Sequence, residues 1–275
     1  MARATAPMGR VRTVFISDVH LGFRGCQAGL LLDFLRRMDA DQLVLVGDIV
    51  DLWSLRRSFF WPSLHQEVLR EILRIARSGT RVIYVPGNHD EGFRELCGGR
   101  LEGIEIRRDF VHETANGERY LVVHGDEFDG AVKFAGWLKW IGEHLYDFIL
   151  WMSRTVQDVR HRFGYGYWSL SNWIKDQVPD ARRYISRFEH AAATAAIRHG
   201  LDGVICGHIH HPGIREVDGV RYCNDGDWVE NCSMLYEDQA GRLHVAFHHA
   251  AAVEPSLTVV PRLEQSVSTS MDEAA

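Results

Sequence analysis

Five short polar blocks along the chain contain residue types that bind divalent metal ions. The blocks are Asp18-Val19-His20, Gly47-Asp48-Ile49-Val50-Asp51, Gly87-Asn88-His89-Asp90, His124-Gly125-Asp126 and Gly207-His208-Ile209-His210. Carboxylate and amide oxygens suit hard ions such as Mg²⁺ and Mn²⁺, and imidazole also suits Mn²⁺, Fe²⁺ and Zn²⁺. A mixed set of Asp, Asn and His therefore favours Mn²⁺, Fe²⁺ or Zn²⁺ over Ca²⁺.

If such a donor set binds two metal ions, it can catalyse a reaction. Two ions about 3.5–4 Å apart can activate a water molecule and stabilise both the attacking and the leaving oxygen in phosphoryl transfer. Asp48 is the natural bridge between them, because a carboxylate has two oxygens. The blocks therefore predict hydrolysis of a phosphate ester or diphosphate.

Apolar, β-branched runs directly precede four of the five blocks, which places the blocks at strand ends. A strand is predicted before each of the five blocks. In chain order these strands are Val11 to Ser17, Gln42 to Val46, Arg81 to Val85, Glu118 to Val123 and Asp202 to Cys206. Helical spacing of apolar residues predicts helices over Gly29 to Met38 and Leu64 to Ala76. This alternation implies parallel strands with helical crossovers, whose ends meet at one edge.

The second half of the chain predicts a different arrangement. Ile104 to Glu113 and the strand beginning at Glu118 flank Asn116-Gly117, a hairpin turn signal. From Gly130 to about Arg187 the chain is helical and aromatic. Three further strands, predicted as consecutive and antiparallel, are Val220 to Asn224, Cys232 to Glu237 and Arg242 to His249. We infer two sheets, with a helical cap inserted between the fourth and fifth blocks.

The cap insertion has two interpretations. Five of the eight tryptophans lie in it, and its most apolar stretch, Gly130 to Arg154, is interrupted by lysines and acidic residues. One interpretation is an amphipathic helix packed on the core. The other is a cap that binds acyl chains or lies on a membrane surface. Its basic residues suit a diphosphate or anionic headgroups.

The blocks resemble, in order and in spacing over about residues 12–250, the calcineurin-like metallophosphoesterase superfamily. The resemblance implies an α/β protein built as a four-layer α/β/β/α sandwich, with two mixed sheets flanked by helices. It also implies two divalent ions, of which Mn²⁺ is preferred and Fe²⁺, Zn²⁺ and Mg²⁺ are alternatives. It assigns Asp48 to both ions. The remaining ligands that it implies are, for one ion, Asp18, His20 and His210 and, for the other, Asn88, His124 and His208.

The same resemblance gives His89 and Asp51 catalytic roles. His89 would protonate the leaving oxygen or stabilise charge on the transferring phosphorus, and Asp51 would orient His89. Asp51 and Asp90 have an alternative interpretation as helix caps. Asp126 is expected only to support the loop that carries His124.

Within the superfamily, the chain resembles the UDP-2,3-diacylglucosamine hydrolases of lipid A biosynthesis. They share the opening Asp-x-His-Leu run, the helical cap and a Gly-x-Trp segment, here Gly226-Asp227-Trp228. The resemblance implies attack of water on the UMP-side phosphorus, which releases UMP and an acylated sugar 1-phosphate. The chain differs at two positions, with His89 in place of arginine and Asp51 in place of glutamate. The alternatives are a generic phosphodiesterase or phosphatase acting on another lipid-linked or nucleotide substrate.

Composition narrows the function classes further. The net charge of −6 gives no basic footprint for nucleic acid, which disfavours a nuclease. The complete ligand set disfavours a non-catalytic binding module. We therefore expect a phosphorylated small-molecule or lipid-linked substrate, no nucleic acid and no obligate protein partner.

Composition also predicts the compartment and the extent of the domain. Five cysteines, odd in number and without CxxC spacing, indicate reduced thiols in a cytosolic protein. The N-terminus lacks the apolar core of a secretory signal, and no uninterrupted apolar run reaches about 18 residues. We predict a flexible segment 1–10, one domain over 11–253 that includes a cap at about 130–187, and a disordered tail over 254–275. The expected location is cytoplasmic, with membrane contact at the inner face through the cap.

Overall fold

The computed structural model describes residues 9–131 and 179–248, which form two mixed β-sheets with helices on their outer faces. The strands of the first sheet are β1 (Val11–Ile16), β2 (Ala40–Leu45), β3 (Arg81–Tyr84), β4 (Arg100–Leu101), β5 (Ile104–Ile106), β11 (Ser233–Glu237) and β12 (Leu243–Phe247). Those of the second are β6 (Phe110–Glu113), β7 (Arg119–Val122), β8 (Gly203–Cys206), β9 (Gly213–Val217) and β10 (Val220–Asn224). The α-helices are α1 (Ala28–Arg37), α2 (Leu52–Arg57), α3 (Ser63–Arg77) and α4 (Pro179–Arg198).

Each sheet has a parallel centre with antiparallel edges. The first sheet has the order β12-β11-β1-β2-β3-β5-β4, and β1, β2, β3 and β5 run parallel. The second has the order β6-β7-β8-β10-β9, and β7, β8 and β10 run parallel. The carboxyl ends of the parallel strands in each sheet therefore lie at one edge, as the sequence predicts.

Three hydrophobic cores separate the layers. Val14 and Ile16 of β1 pack with residues of α1 and α3, whereas Phe15 between them packs with the second sheet. On the other side of the second sheet, Val204 packs with Phe188 of α4. Alternate residues of a strand point to opposite faces, so a buried run serves two cores at once. The layers are helix, sheet, sheet and helix, which confirms the predicted fold class.

Most predicted elements are confirmed, and two strand predictions are wrong. Ile104 to Glu113 is not one strand, because a bend at Arg108 carries the chain from β5 in the first sheet to β6 in the second. Val220 to Asn224 does not pair with the strand that follows it. It pairs with β8 and β9 in the second sheet, and the loop over residues 225–232 crosses to the first.

Residues 132–178, which carry most of the predicted cap and five tryptophans, lie outside the described residues. The segment 254–275, predicted as a tail, and residues 1–8 of the N-terminal segment predicted to be flexible also lie outside them. Helix α4 continues to Arg198, past the predicted end near Arg187, and packs on the second sheet. No helix in the described ranges is long and apolar enough to cross a membrane.

Candidate metal centre

The loops at the strand ends bring the five blocks together. The amide of Asp18, after β1, donates to the carbonyl of Gly47, after β2, at 3.0 Å. In the second sheet, the amide of Gly207 donates to the carbonyl of His124 at 3.1 Å. The amide of His208 then donates to a carboxylate oxygen of Asp18 at 2.8 Å, which joins the two sheets. The site therefore spans the edges of both sheets.

Six of the seven predicted ligands form two compact groups. In each group one ligand atom from every residue lies within 4.8 Å of the others. The groups are Asp18, His20 and His210, and Asp48, His124 and His208. Within them His210 Nε2 lies 3.0 Å from Asp18 Oδ1, and His124 Nε2 lies 3.4 Å from Asp48 Oδ2. The other group reaches Asp48 too, because His20 Nε2 lies 4.0 Å from the same oxygen.

Two buried polar atoms of this cluster point to a metal ion. Asn88 Oδ1 and His124 Nε2 have no hydrogen-bond partner among the described residues. Burying such atoms without a partner is costly, and a divalent cation would satisfy both. The donors therefore fit divalent metal ions.

Two histidines have one ring nitrogen occupied on the side away from the cluster. His124 Nδ1 lies 2.8 Å from the carbonyl oxygen of Val46. His20 Nδ1 lies 3.3 Å from Asp51 Oδ2. A metal-ligating histidine commonly donates its second N–H to an acceptor of this kind, which fixes the tautomer and the ring orientation. In both rings Nε2 is left to face the carboxylates.

Asp51 caps a helix and also contacts two histidines of the cluster. It is the N-cap of α2, where its Oδ1 accepts a hydrogen bond from the Ser54 amide at 2.7 Å. The same oxygen lies 3.0 Å from His89 Nδ1, so Asp51 contacts both His89 and His20. The ring of His89 also packs against Trp53 of α2, with centroids 4.2 Å apart and planes inclined by 33°.

Asp90 and Asp126 hold the loops together. Asp90 is buried and caps no helix with its side chain. It accepts hydrogen bonds from the amides of Ile49 at 2.7 Å and Gly87 at 2.6 Å, which ties the second block to the third. Asp126 accepts two hydrogen bonds from Arg94, at 2.7 and 2.8 Å. Asp126 thus fastens the loop after His124 to the 3₁₀ turn (Glu91–Leu96) that follows the third block.

Charge complementarity within the cluster shifts the pKa of its members. Burial alone would raise the pKa of Asp18, but His210 and His20 outweigh it and hold that pKa well below its usual range. His124 acts in the same way on the pKa of Asp48. Burial would lower the pKa of His20, yet its acidic neighbours raise that pKa to about 10. The carboxylates of the cluster therefore stay ionised, and their oxygens suit a cation.

The backbone of the cluster is strained at most of the predicted ligands. Five of them have positive φ, which non-glycine residues seldom adopt. They are Asp18 (50°), His20 (55°), Asp48 (53°), His208 (68°) and His210 (50°). Such conformations cost of order 1–3 kcal/mol each and concentrate at functional sites, where the surrounding structure imposes them.

A close backbone approach explains the glycine before His208. A Cβ atom at Gly207 would lie 2.2 Å from Ser17 Oγ and 2.4 Å from a carboxylate oxygen of Asp18. The serine hydroxyl contacts that carboxylate and also the buried Asp225. The Gly-x-Trp segment contributes here, because the amide of Trp228 donates to the carbonyl of Asp18 at 3.0 Å. Neither Ser17 nor Asp225 was predicted from the sequence, which offers no metal-ligand signal at either position.

A four-layer sandwich with an Asp, Asn and His cluster at the edges of its two sheets defines a metallophosphoesterase. The chain belongs to the calcineurin-like phosphoesterase family, whose sequence model matches residues 11–212. It is a hydrolase of phosphoester bonds.

Curated relatives agree with this class. The chain is 28% identical to the UDP-2,3-diacylglucosamine hydrolase of Xanthomonas campestris pv. campestris over 83% of this chain and 96% of that protein. It is 25% identical to the enzyme of the same name from Aliivibrio fischeri, over 84% and 97%. Among solved structures, the phosphopantetheinyl hydrolase of Mycobacterium tuberculosis matches 81% of this chain and 92% of its own, at 18% identity and a TM-score of 0.41. The predicted resemblance to the UDP-2,3-diacylglucosamine hydrolases is confirmed.

Proposed function

We propose that the chain is a two-metal phosphoesterase. Asp18, His20 and His210 would hold one ion, and Asn88, His124 and His208 the other. Asp48 lies within reach of both groups and would bridge them. The observation that carries this proposal is the pair of three-residue groups around one carboxylate, with unpartnered Asn88 Oδ1 and His124 Nε2 beside it. Mn²⁺ is the ion that best fits the mixture of oxygen and nitrogen donors.

The chain's own groups would do the remaining work. When bound, the two metal ions would activate the attacking water and neutralise charge on the phosphoryl group. His89 would hold the proton that the leaving oxygen needs, at Nε2, because its Nδ1 faces Asp51 at 3.0 Å. The amide of His89 donates to Asp48 Oδ1 at 2.8 Å, so the loop that carries the proposed acid is hydrogen-bonded to the proposed bridge.

We propose a UDP-2,3-diacylglucosamine-type diphosphate as the substrate, cleaved to UMP and an acylated sugar 1-phosphate. Support comes from relatives of that name that match almost their full length to this chain. An acylated substrate lies in a membrane, so we also propose action at the cytoplasmic membrane face, with the cap insertion in contact with lipid. The differences at His89 and Asp51 make another lipid-linked or nucleotide diphosphate the second choice.

A substrate panel with the Mn²⁺-loaded protein tests the proposal. We expect hydrolysis of UDP-2,3-diacylglucosamine and of a chromogenic phosphodiester, both abolished in Asp48→Asn. Asp39→Asn, an exposed carboxylate in the segment before β2, is the matched control and should keep full activity. Activity in Asp48→Asn would contradict the bridging role. Hydrolysis of the chromogenic ester without any of the acylated nucleotide would contradict the substrate only.

A further inference from the structure

His208 contacts a carboxylate outside the predicted ligand set. Its Nε2 lies 3.0 Å from Asp129 Oδ2, in the 3₁₀ turn (Asp126–Ala131) that follows His124. The other oxygen of this carboxylate, Asp129 Oδ1, accepts a hydrogen bond from the hydroxyl of Tyr184 at 2.7 Å. A chain of three side chains therefore runs from α4 to the cluster.

Asp129 completes a pattern that His20 and His124 also follow. The carbonyl of Val46 occupies His124 Nδ1, and Asp51 occupies His20 Nδ1. In each case an acceptor on one ring nitrogen leaves the other nitrogen for the metal. For His208 the nitrogen that contacts an acceptor is Nε2, which leaves Nδ1 as the atom that would bind the metal ion.

Helix α4 also fixes the plane of the His208 ring. The ring stacks on Phe188 of α4, with centroids 5.9 Å apart and planes inclined by 27°. His124 contacts it edge-on, with centroids 5.2 Å apart. Tyr184 and Phe188 lie one turn apart on α4, so one helix face determines both the rotation and the hydrogen bonding of the ring.

We propose that Asp129 is the positioning residue of His208, and that Tyr184 couples α4, the helix after the cap insertion, to the metal site containing Asn88 and His124. This inference rests on the proposed two-metal function. Almost half of the Asp129 side chain is exposed, at 45%. Its ion pair should therefore add little to folding stability. Its effect should appear in metal affinity, where loss of such a partner typically costs about 10- to 100-fold.

The test is calorimetric titration of the full-length protein with Mn²⁺. We expect Asp129→Ala to weaken binding of one ion about 10- to 100-fold and to leave the other unchanged. Tyr184→Phe should weaken binding of the same ion by a smaller factor. Asp129→Glu should bind that ion more tightly than Asp129→Ala does. Glu127→Ala, in the same 3₁₀ turn, is the matched control and should bind both ions as the wild type does.

A second measurement separates positioning from packing. In the metal-free protein, ¹⁵N spectra should show the Nε2–H tautomer of His208, and Asp129→Ala should lose it while the unfolding temperature stays within about 2 °C of wild type. Equal Mn²⁺ affinity in wild type and Asp129→Ala would overturn the inference, as would a fall in metal-free stability that accounts for the lost affinity. A wild-type protein that binds fewer than two ions would overturn the proposed function instead.

Discussion

At the scale of single residues, His89 differs from the other histidines of the cluster in its exposure. A quarter of its side chain, 25%, is exposed, against 13% for His208, the next most exposed. The carboxylate of Asp48 lies 4.0 Å from its Nε2. An imidazole that is partly exposed and has, among the described residues, no carboxylate in close contact with its Nε2 is better suited to donate a proton to the substrate than to bind a metal ion.

The proton-donating role predicts a dependence on the leaving group. His89→Gln should slow hydrolysis of an ester with a poor alcohol leaving group by about 10²- to 10⁴-fold, the usual contribution of a general acid. The same variant should slow release of p-nitrophenolate far less, because that anion leaves without a proton. Steady-state rates on the two esters, with His190→Gln as an exposed-histidine control, measure the difference. Equal losses on both esters would show that His89 only stabilises charge or structure.

Residue types revealed the cluster before the structure did, but backbone conformation was hidden. Asp, Asn and His at five strand ends identify donors, and their order identifies the family. The sequence does not indicate that Asp18 or His208 has positive φ. The surrounding loops impose this strained conformation, and the residue types alone do not. Asp129 was missed for a related reason. A single half-exposed aspartate can be assigned a role only once the structure places Tyr184 and His208 on either side of it.

At the scale of elements, the loop between β8 and β9 must approach the end of β1 without a side chain between them. Gly207→Ala should push Ser17 and Asp18 apart, because a Cβ has no room there. We expect weaker Mn²⁺ binding, reduced activity and a loss of stability of about 1–3 kcal/mol from overpacking. Isothermal titration and thermal unfolding report the two effects separately.

The same substitution at Gly29 provides the control. Gly29 lies in α1, has open space around its Cα and has no positive φ. Gly29→Ala should leave metal binding unchanged and stabilise the protein by up to about 1 kcal/mol through helix propensity. If both alanine variants behaved alike, close approach at Gly207 would not explain the glycine.

Elements with a strong apolar pattern were predictable, and those without one were not. The central parallel strands are buried on both faces, so their sequences are continuous apolar runs. Strand β9 is half-exposed and carries Arg215 and Glu216, and α2 buries none of its residues fully, so neither has a periodic signal. The division of Ile104 to Glu113 between two sheets was equally invisible, because a bend at Arg108 leaves no mark on an alternating pattern.

At the scale of the whole molecule, the candidate metal centre joins the two sheets. Asp48 follows a strand of the first sheet, whereas His124 and His208 follow strands of the second. Ions bound there should favour the folded state by mass action, by about 2.7 kcal/mol at a free concentration of 100 times Kd. Excess chelator should therefore lower the unfolding temperature of the wild type and leave that of Asp48→Asn almost unchanged. A chelator effect of the same size in both proteins would place the stabilising ion elsewhere.

A second link between the sheets is centred on Glu237 and includes none of the proposed metal ligands. Glu237 of β11 is fully buried, and its Oε2 lies 2.9 Å from His112 Nε2 of β6, in the other sheet. Its Oε1 accepts hydrogen bonds from the Ala115 amide at 2.8 Å and from Arg12 Nε at 3.0 Å. Burial would raise the pKa of this carboxyl, but the His112 and Ala115 contacts outweigh it and lower the pKa.

The lowered pKa of Glu237 fixes how stability should depend on pH. A carboxyl whose pKa is lower in the folded than in the unfolded state stabilises the fold above its ordinary pKa, and that stability is lost as the pH falls through the folded pKa. Glu237→Gln should therefore reduce the free energy of unfolding by about 3 kcal/mol at pH 7, the scale for breaking a buried ion pair. The difference from wild type should shrink below about pH 4.5 and vanish in stronger acid. Urea unfolding at several pH values measures it, with Glu113→Gln, exposed on β6, as the control. A constant difference across pH would mean that Glu237 contributes by shape and hydrogen bonding rather than by its charge.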